Sequence, residues 1–140
     1  MDTHKGFTLI ELIIAVIVIA IIAAVAVPLY SNYVRKAKFQ EAAISLLNLN
    51  LQEKLYWIDS HVYGQTDCAI GALPAPTKNF SYICNINNSQ QGYLITAKGQ
   101  GDLLNYNFTI DQAGNKVTID FPGVSGLPIA CWLYAPGSCL

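Results

Sequence analysis

The chain has 140 residues, enough for one domain and an appendage but not for two full domains. Hydrophobic residues make up 53% and charged residues only 12%, roughly half the usual charged share. The net charge of −1 excludes a global electrostatic pull toward nucleic acid or acidic lipid. The charge deficit is local. From Phe7 to Pro28 the only polar side chains are Thr8 and Glu11, and Leu12 to Val27 is an unbroken apolar run. From Leu29 onward the composition is that of an ordinary soluble domain of about a hundred residues, sufficient for a modest single core.

A helix over Phe7 to Val27 is roughly 30 Å long at about 1.5 Å per residue, close to the thickness of a bilayer's hydrocarbon core. That is too long for a buried helix in so small a domain. A secretory signal peptide is the competing reading, because Ala20, Ala23, Ala24 and Ala26 imitate a small-residue cleavage site. Glu11 argues against it. A carboxylate at that depth costs roughly 2.5–3.5 kcal/mol, and a plain signal peptide or anchor has no reason to carry it. An acid in such a segment marks a function and calls for a partner; the bland alternative, a stray acid reaching the headgroups, is the weaker one.

Lys5-Gly6-Phe7-Thr8-Leu9-Ile10-Glu11, directly ahead of the apolar run, resembles the class III signal of type IV prepilins and related pseudopilins. The resemblance implies that a prepilin peptidase on the cytoplasmic side cuts between Gly6 and Phe7 and N-methylates Phe7. It thus implies a leader over residues 1–6, a hydrophobic membrane and assembly helix over 7–28, and a periplasmic or extracellular head over 29–140. Glu11 falls at the fifth mature position, where the family's glutamate sits. Pro28 and Tyr30 stand where many pilins carry a proline and a tyrosine. The likeness is close over about the first forty residues. The pairing chemistry follows from the residues: cleavage leaves Phe7 with a cationic amine, and Glu11 of an adjacent subunit can neutralise it. Neither charge is tolerable alone in a packed apolar bundle, so the pair rewards correct register and penalises slippage. Arg35, Lys36 and Lys38 beyond the run would by themselves invert the membrane topology. The cytoplasmic peptidase and the four cysteines, which suit an oxidising far side, outweigh them.

Beyond Pro28 the helical pattern continues. Ile44, Leu47, Leu51, Leu55 and Ile58 recur at steps of three and four, which predicts a stripe buried against a sheet, with Arg35, Lys36, Lys38, Glu41, Gln52 and Glu53 on the other faces. One helix of about fifty residues, from Phe7 to near Asp59 and kinked at Pro28, is expected. A loop with Gly64, Gly71, Pro74 and Pro76 follows. The pattern then changes to period two over Phe80–Ile86, Tyr93–Ala97, Tyr106–Ile110 and Val117–Phe121, with turns at Asn87–Gly92, Gly99–Leu103 and Asp111–Asn115. The fold class is α+β, a long N-terminal helix packed on a four-stranded antiparallel sheet. This is the αβ-roll that the resemblance also implies.

Cys68, Cys84, Cys131 and Cys139 fit no zinc spacing, so no metal or cofactor is expected. Three pairings are open. Cys68–Cys84, tying the loop to the first strand, and Cys131–Cys139, closing a loop around Trp132, Tyr134 and Pro136, are favoured; the second resembles the disulfide-bounded loop near the C-terminus of many pilins. Catalysis finds no support: beyond the leader, His61 is the one histidine, and no nucleophile elbow or phosphate loop occurs. From residue 59 on, Lys78, Lys98 and Lys116 face Asp59, Asp67, Asp102, Asp111 and Asp120, so DNA binding by the head is not expected. The resemblance therefore implies a structural pilus subunit, major or minor, held in the inner membrane before assembly and partnered by other pilin subunits and the prepilin peptidase. A type II secretion pseudopilin and a DNA-receptor minor pilin are the alternatives.

Overall fold

The computed structural model describes residues 7–64, 68, 73–87 and 89–140. Gly6 and the other leader residues lie outside them, as do Asp67 and Gly71 of the loop after the helix. The chain forms two compact units, one ending at Lys36 and one running from Ala37 to Leu140, and helix α1 (Leu9–Ser60) contributes to both.

In the first unit Thr8 starts the helix. Its Oγ1 accepts a hydrogen bond from the Glu11 N–H at 3.3 Å, and its carbonyl accepts one from Leu12 N–H at 3.2 Å. Thr8 is therefore the N-cap, and Thr8-x-x-Glu11 is a capping-box spacing that sets a carboxylate in the first turn, where the helix dipole favours it. Pro28 lies inside the helix and cannot donate to the carbonyl one turn back. The Ser31 hydroxyl donates to the Pro28 carbonyl at 2.9 Å.

In the second unit β1 (Phe80–Ile86), β2 (Tyr93–Gly99), β3 (Asn107–Asp111) and β4 (Lys116–Asp120) form an antiparallel meander in that order. The turns are built by side chains. Asn87 Oδ1 accepts from the Gln91 and Gly92 N–H groups, each at 3.1 Å, and Asp111 Oδ1 accepts from Asn115 N–H at 2.8 Å. Gly99 is required by a close approach, since a Cβ there would collide with the Leu103 carbonyl. A short hairpin, β5 (Leu133–Ala135) with β6 (Ser138–Cys139), was not legible in the sequence. The chain leading into it covers the outer edge of β4. Thr118 exchanges backbone hydrogen bonds with Ile129, and its hydroxyl donates to Cys131 O at 2.6 Å and accepts from Leu133 N–H at 2.9 Å.

The helix buries a different stripe from the predicted one. Phe39, Ala42, Leu46 and Leu49 are buried with Phe80, Tyr82, Ile95, Ala97, Phe108 and Ile110 of the sheet. Phe39 anchors this layer, its ring centroid 5.1 Å from Tyr106, 5.4 Å from Phe108 and 5.9 Å from Phe121. Ile44, Leu47, Leu51, Leu55 and Ile58 are all exposed, Ile44 by 68% and Ile58 by 62%. Glu53, assigned to an outer face, is fully buried. The two stripes lie two residues out of phase, about 200° around the helix, so both have helical period and periodicity cannot choose between them. The sequence favours the wrong one because the buried stripe continues into polar Asn50 and Glu53, whereas the exposed one is aliphatic throughout.

This assignment separates two classes of leucine in the second unit. Leu46→Ala should destabilise a fragment over residues 37–140 by about 2–5 kcal/mol in urea unfolding, through lost burial and a cavity. Leu51→Ala should stay within about 0.5 kcal/mol of the parent, because its side chain is mostly exposed to solvent.

Candidate functional site

The features that distinguish this chain lie on α1. Among the described residues it is the one helix long and apolar enough to cross a membrane, and none of its apolar stretch is buried within the protein. Phe7 is 84% exposed and every Leu, Ile and Val from Leu9 to Leu29 is exposed with it. Glu11 interrupts this surface, itself exposed. The structure gives Glu11 a local role that the sequence reading missed: its N–H is the group that Thr8 caps. The signal was present, since a threonine three residues ahead of a glutamate before an apolar run is a helix-start signature. Gly6, the other half of the expected cleavage junction, lies outside the described residues. Pro28 lies within the apolar segment, on the stretch of α1 that belongs to the first unit.

The second unit carries its own exposed apolar surface, the Ile44-Leu47-Leu51-Leu55-Ile58 face, joined by the half-exposed Tyr56 and Trp57. A folded domain this small gains nothing by leaving five large aliphatic side chains of one helix face in water. Such a face marks an interaction surface. His61 ends the helix in a left-handed conformation, with its ring edge-on to Trp57 at 5.5 Å, and sits in solvent as the sequence suggests.

Disulfides join Cys68 to Cys84 and Cys131 to Cys139, with Cα separations of 5.7 and 5.8 Å. The first ties the segment before β1 to β1; the second closes the β5–β6 hairpin. Trp132, within that closed segment, is buried rather than presented to solvent. Its Nε1 donates to Thr109 O at 2.8 Å and Lys116 Nζ lies 4.9 Å from the ring centre. Lys116 is thereby engaged locally; Lys78 and Lys98 are exposed but lie on different elements.

Between helix and sheet lies a buried polar cluster. Asn50 Nδ2 donates to the Tyr93 hydroxyl and to Asp111 O, both at 2.8 Å, and the Tyr93 hydroxyl donates to Asn50 O at 3.2 Å. Burial first, then the charges of Tyr63, Glu53 and Asp111, hold the Tyr93 phenol far above its ordinary value of 10.0. Tyr82 is raised as well, mainly by burial, against a lowering influence of the nearby Ser45 hydroxyl. These phenols keep their protons in the folded protein above the pH at which they ionise in the unfolded chain. Their contribution is therefore complete below about pH 10 and is lost as pH rises toward the folded values. Of the eight tyrosines, Tyr93 and Tyr82 should fail to ionise in an alkaline absorbance titration until the fold is lost. Tyr93→Phe should flatten the loss of stability above pH 10.

Comparison with known proteins follows this geometry. Residues 1–27 match the family model of the prokaryotic N-terminal methylation motif. The chain is 30% identical over 102 residues to the type IV major pilin protein PilE1 of Neisseria gonorrhoeae, covering 73% of this chain and 47% of the relative. It is 37% identical over 95 residues to the fimbrial protein EcpC of Eikenella corrodens, covering 65% and 58%. It is 32% identical over 77 residues to prepilin peptidase-dependent protein D of Escherichia coli K12, covering 55% and 53%. The chain spans about half the length of the curated relatives it matches. A solved type IV pilin from Shewanella oneidensis shares the fold at a TM-score of 0.51 and 11% identity, over 65% of this chain and 94% of that one. The chain thus carries the prokaryotic N-terminal methylation motif over residues 1–27, is similar in sequence to type IV pilins and fimbrial proteins, and shares the fold of a solved type IV pilin.

Proposed function

We propose that the chain is a structural subunit of a type IV pilus, polymerised with other pilin subunits through α1. One observation carries the proposal: α1 presents apolar surface that stays exposed among the described residues, along the whole of Leu9–Leu29 and again on the Ile44–Ile58 face. Burying one such side chain is worth about 1.5–3 kcal/mol, so the helix favours first a membrane and then a bundle of like helices.

In this reading the leader is removed between Gly6 and Phe7 by a prepilin peptidase, and Phe7 is N-methylated. The subunit waits in the inner membrane with its head on the far side. On assembly, Glu11 of one subunit pairs with the Phe7 amine of a neighbour, and the exposed stripe of the second unit packs against adjacent subunits. The fibre is extracellular. That the curated relatives include major pilins and a fimbrial protein supports this reading over a secretion pseudopilin or a DNA receptor.

Glu11→Ala should leave membrane insertion intact while cutting incorporation into sheared fibres at least tenfold, in cells lacking the parent copy. That factor corresponds to about 1.4 kcal/mol, less than the cost of one unpaired buried charge. Normal incorporation would remove the proposed role of Glu11. Gly6→Leu should accumulate as an uncleaved membrane precursor, detectable by mass spectrometry as a chain retaining Met1.

A further inference from the structure

Away from the assembly surface, one cluster of chemically reactive side chains is left unused by the proposed function. Glu53 is fully buried, and Cys84 and Cys68 are 3% and 8% exposed. A carboxylate oxygen of Glu53 and the two sulfurs all lie within 4.8 Å of one another. They arrive from three places: Glu53 from the second half of α1, Cys84 from the middle of β1, and Cys68 from the segment before it. No spacing rule on the sequence detects such a set, because the third ligand comes from a distant helix.

We propose that the reduced form of this protein binds one zinc-like divalent cation through the Cys68 and Cys84 thiolates and the Glu53 carboxylate. Two thiolates and a carboxylate are a suitable donor set for Zn2+, with a water completing a tetrahedron. Zinc–sulfur bonds of about 2.3 Å and a zinc–oxygen bond of about 2.0 Å place ligand atoms roughly 3.5–3.8 Å apart, within the 4.8 Å that bounds the three atoms once the two bonded sulfurs have separated. Breaking the disulfide lets the sulfurs separate, the direction that coordination requires. Tyr63 and Tyr93, both close enough for the charge of Glu53 to act on their phenols, pack against each other at 4.7 Å beside the site.

A dithiol or phosphine reductant supplies two electrons and is itself oxidised; the disulfide takes up two protons and becomes two thiols. Binding of the cation then releases those protons, which makes affinity rise with pH. The oxidised protein has no thiolate to offer, so the site exists only in the reduced state. The inference does not depend on the fibre reading.

Cobalt(II) serves as the probe. The full-length chain in detergent is reduced with a phosphine, freed of excess reductant without air, and titrated with Co2+ and then Zn2+. The expected result is one Co2+ per chain with a thiolate-to-cobalt charge-transfer band, displaced by Zn2+ and absent from the oxidised protein. The double variant C131S/C139S should retain the band, and C84S should lose it. E53Q should weaken binding by more than the roughly 100-fold loss that marks the upper end for an outer-shell change. E53H, which substitutes a ring nitrogen as ligand, should retain it and so separate loss of a ligand from loss of the fold. No band in the reduced parent, a band that survives C84S, or parent-like affinity in E53Q would each overturn the proposal.

Discussion

The apolar surface of α1 over Leu9–Leu29 finds no cover among the described residues, and most of the protein's other features can be read as consequences of that constraint. From Leu9 to Leu29 every large aliphatic side chain is exposed. A water-exposed helix of this composition would not survive as a soluble species. The sequence answers with a segment of bilayer length, then with features suited to leaving the bilayer for a bundle: a capped helix start at Thr8, and a carboxylate at Glu11 whose burial is favourable only opposite a cation. Hydrophobic burial supplies the driving force for association. In the proposed fibre the Glu11 carboxylate, once buried, would supply the register, because apolar contacts alone are nearly indifferent to sliding by a turn.

The same helix does a second and opposite task beyond Lys36. There it presents Phe39, Ala42, Leu46 and Leu49 to the sheet and leaves Ile44, Leu47, Leu51, Leu55 and Ile58 to solvent. A helix apolar on two faces is sandwiched when it is satisfied, and in the single chain only one face is covered. The sheet side is reinforced in ways suited to a small domain. Two disulfides brace the loop before β1 and the β5–β6 hairpin, while an aromatic layer around Phe39 and the Asn50–Tyr93–Asp111 hydrogen bonds fix the helix on the strands. The edge of β4 is closed by the chain around Ile129 and Cys131, which leaves association to the helix rather than to strand pairing.

Much of this was legible in the residues. The four strands follow from period-two runs, and their ends differ from expectation by one or two residues, as strand ends do. The helix from Leu9 to Ser60 follows from the apolar run and the periodicity after it. The buried face did not follow, for a physical reason: Asn50 and Glu53 are tolerated inside the domain, Asn50 through hydrogen bonds to Tyr93 and Asp111, and polar residues mask a buried stripe from any reading based on hydrophobicity. The β5–β6 hairpin was missed because its strands are two and three residues long and are held by Thr118 and the Cys131–Cys139 bridge, which are long-range features. Trp132 illustrates the same point. Its burial against β3 depends on a hydrogen bond to Thr109 that no local pattern encodes.

The central claim is that the exposed face of α1 is covered only by other subunits. The most direct measurement places a single reactive thiol on that face, as Leu51→Cys, and compares its labelling by a hydrophilic maleimide in detergent-dispersed subunits and in intact sheared fibres under non-reducing conditions. Rapid labelling in the dispersed subunit and strong protection in the fibre are expected. Equal labelling in both states would show that the face remains in water after assembly, and would contradict the account.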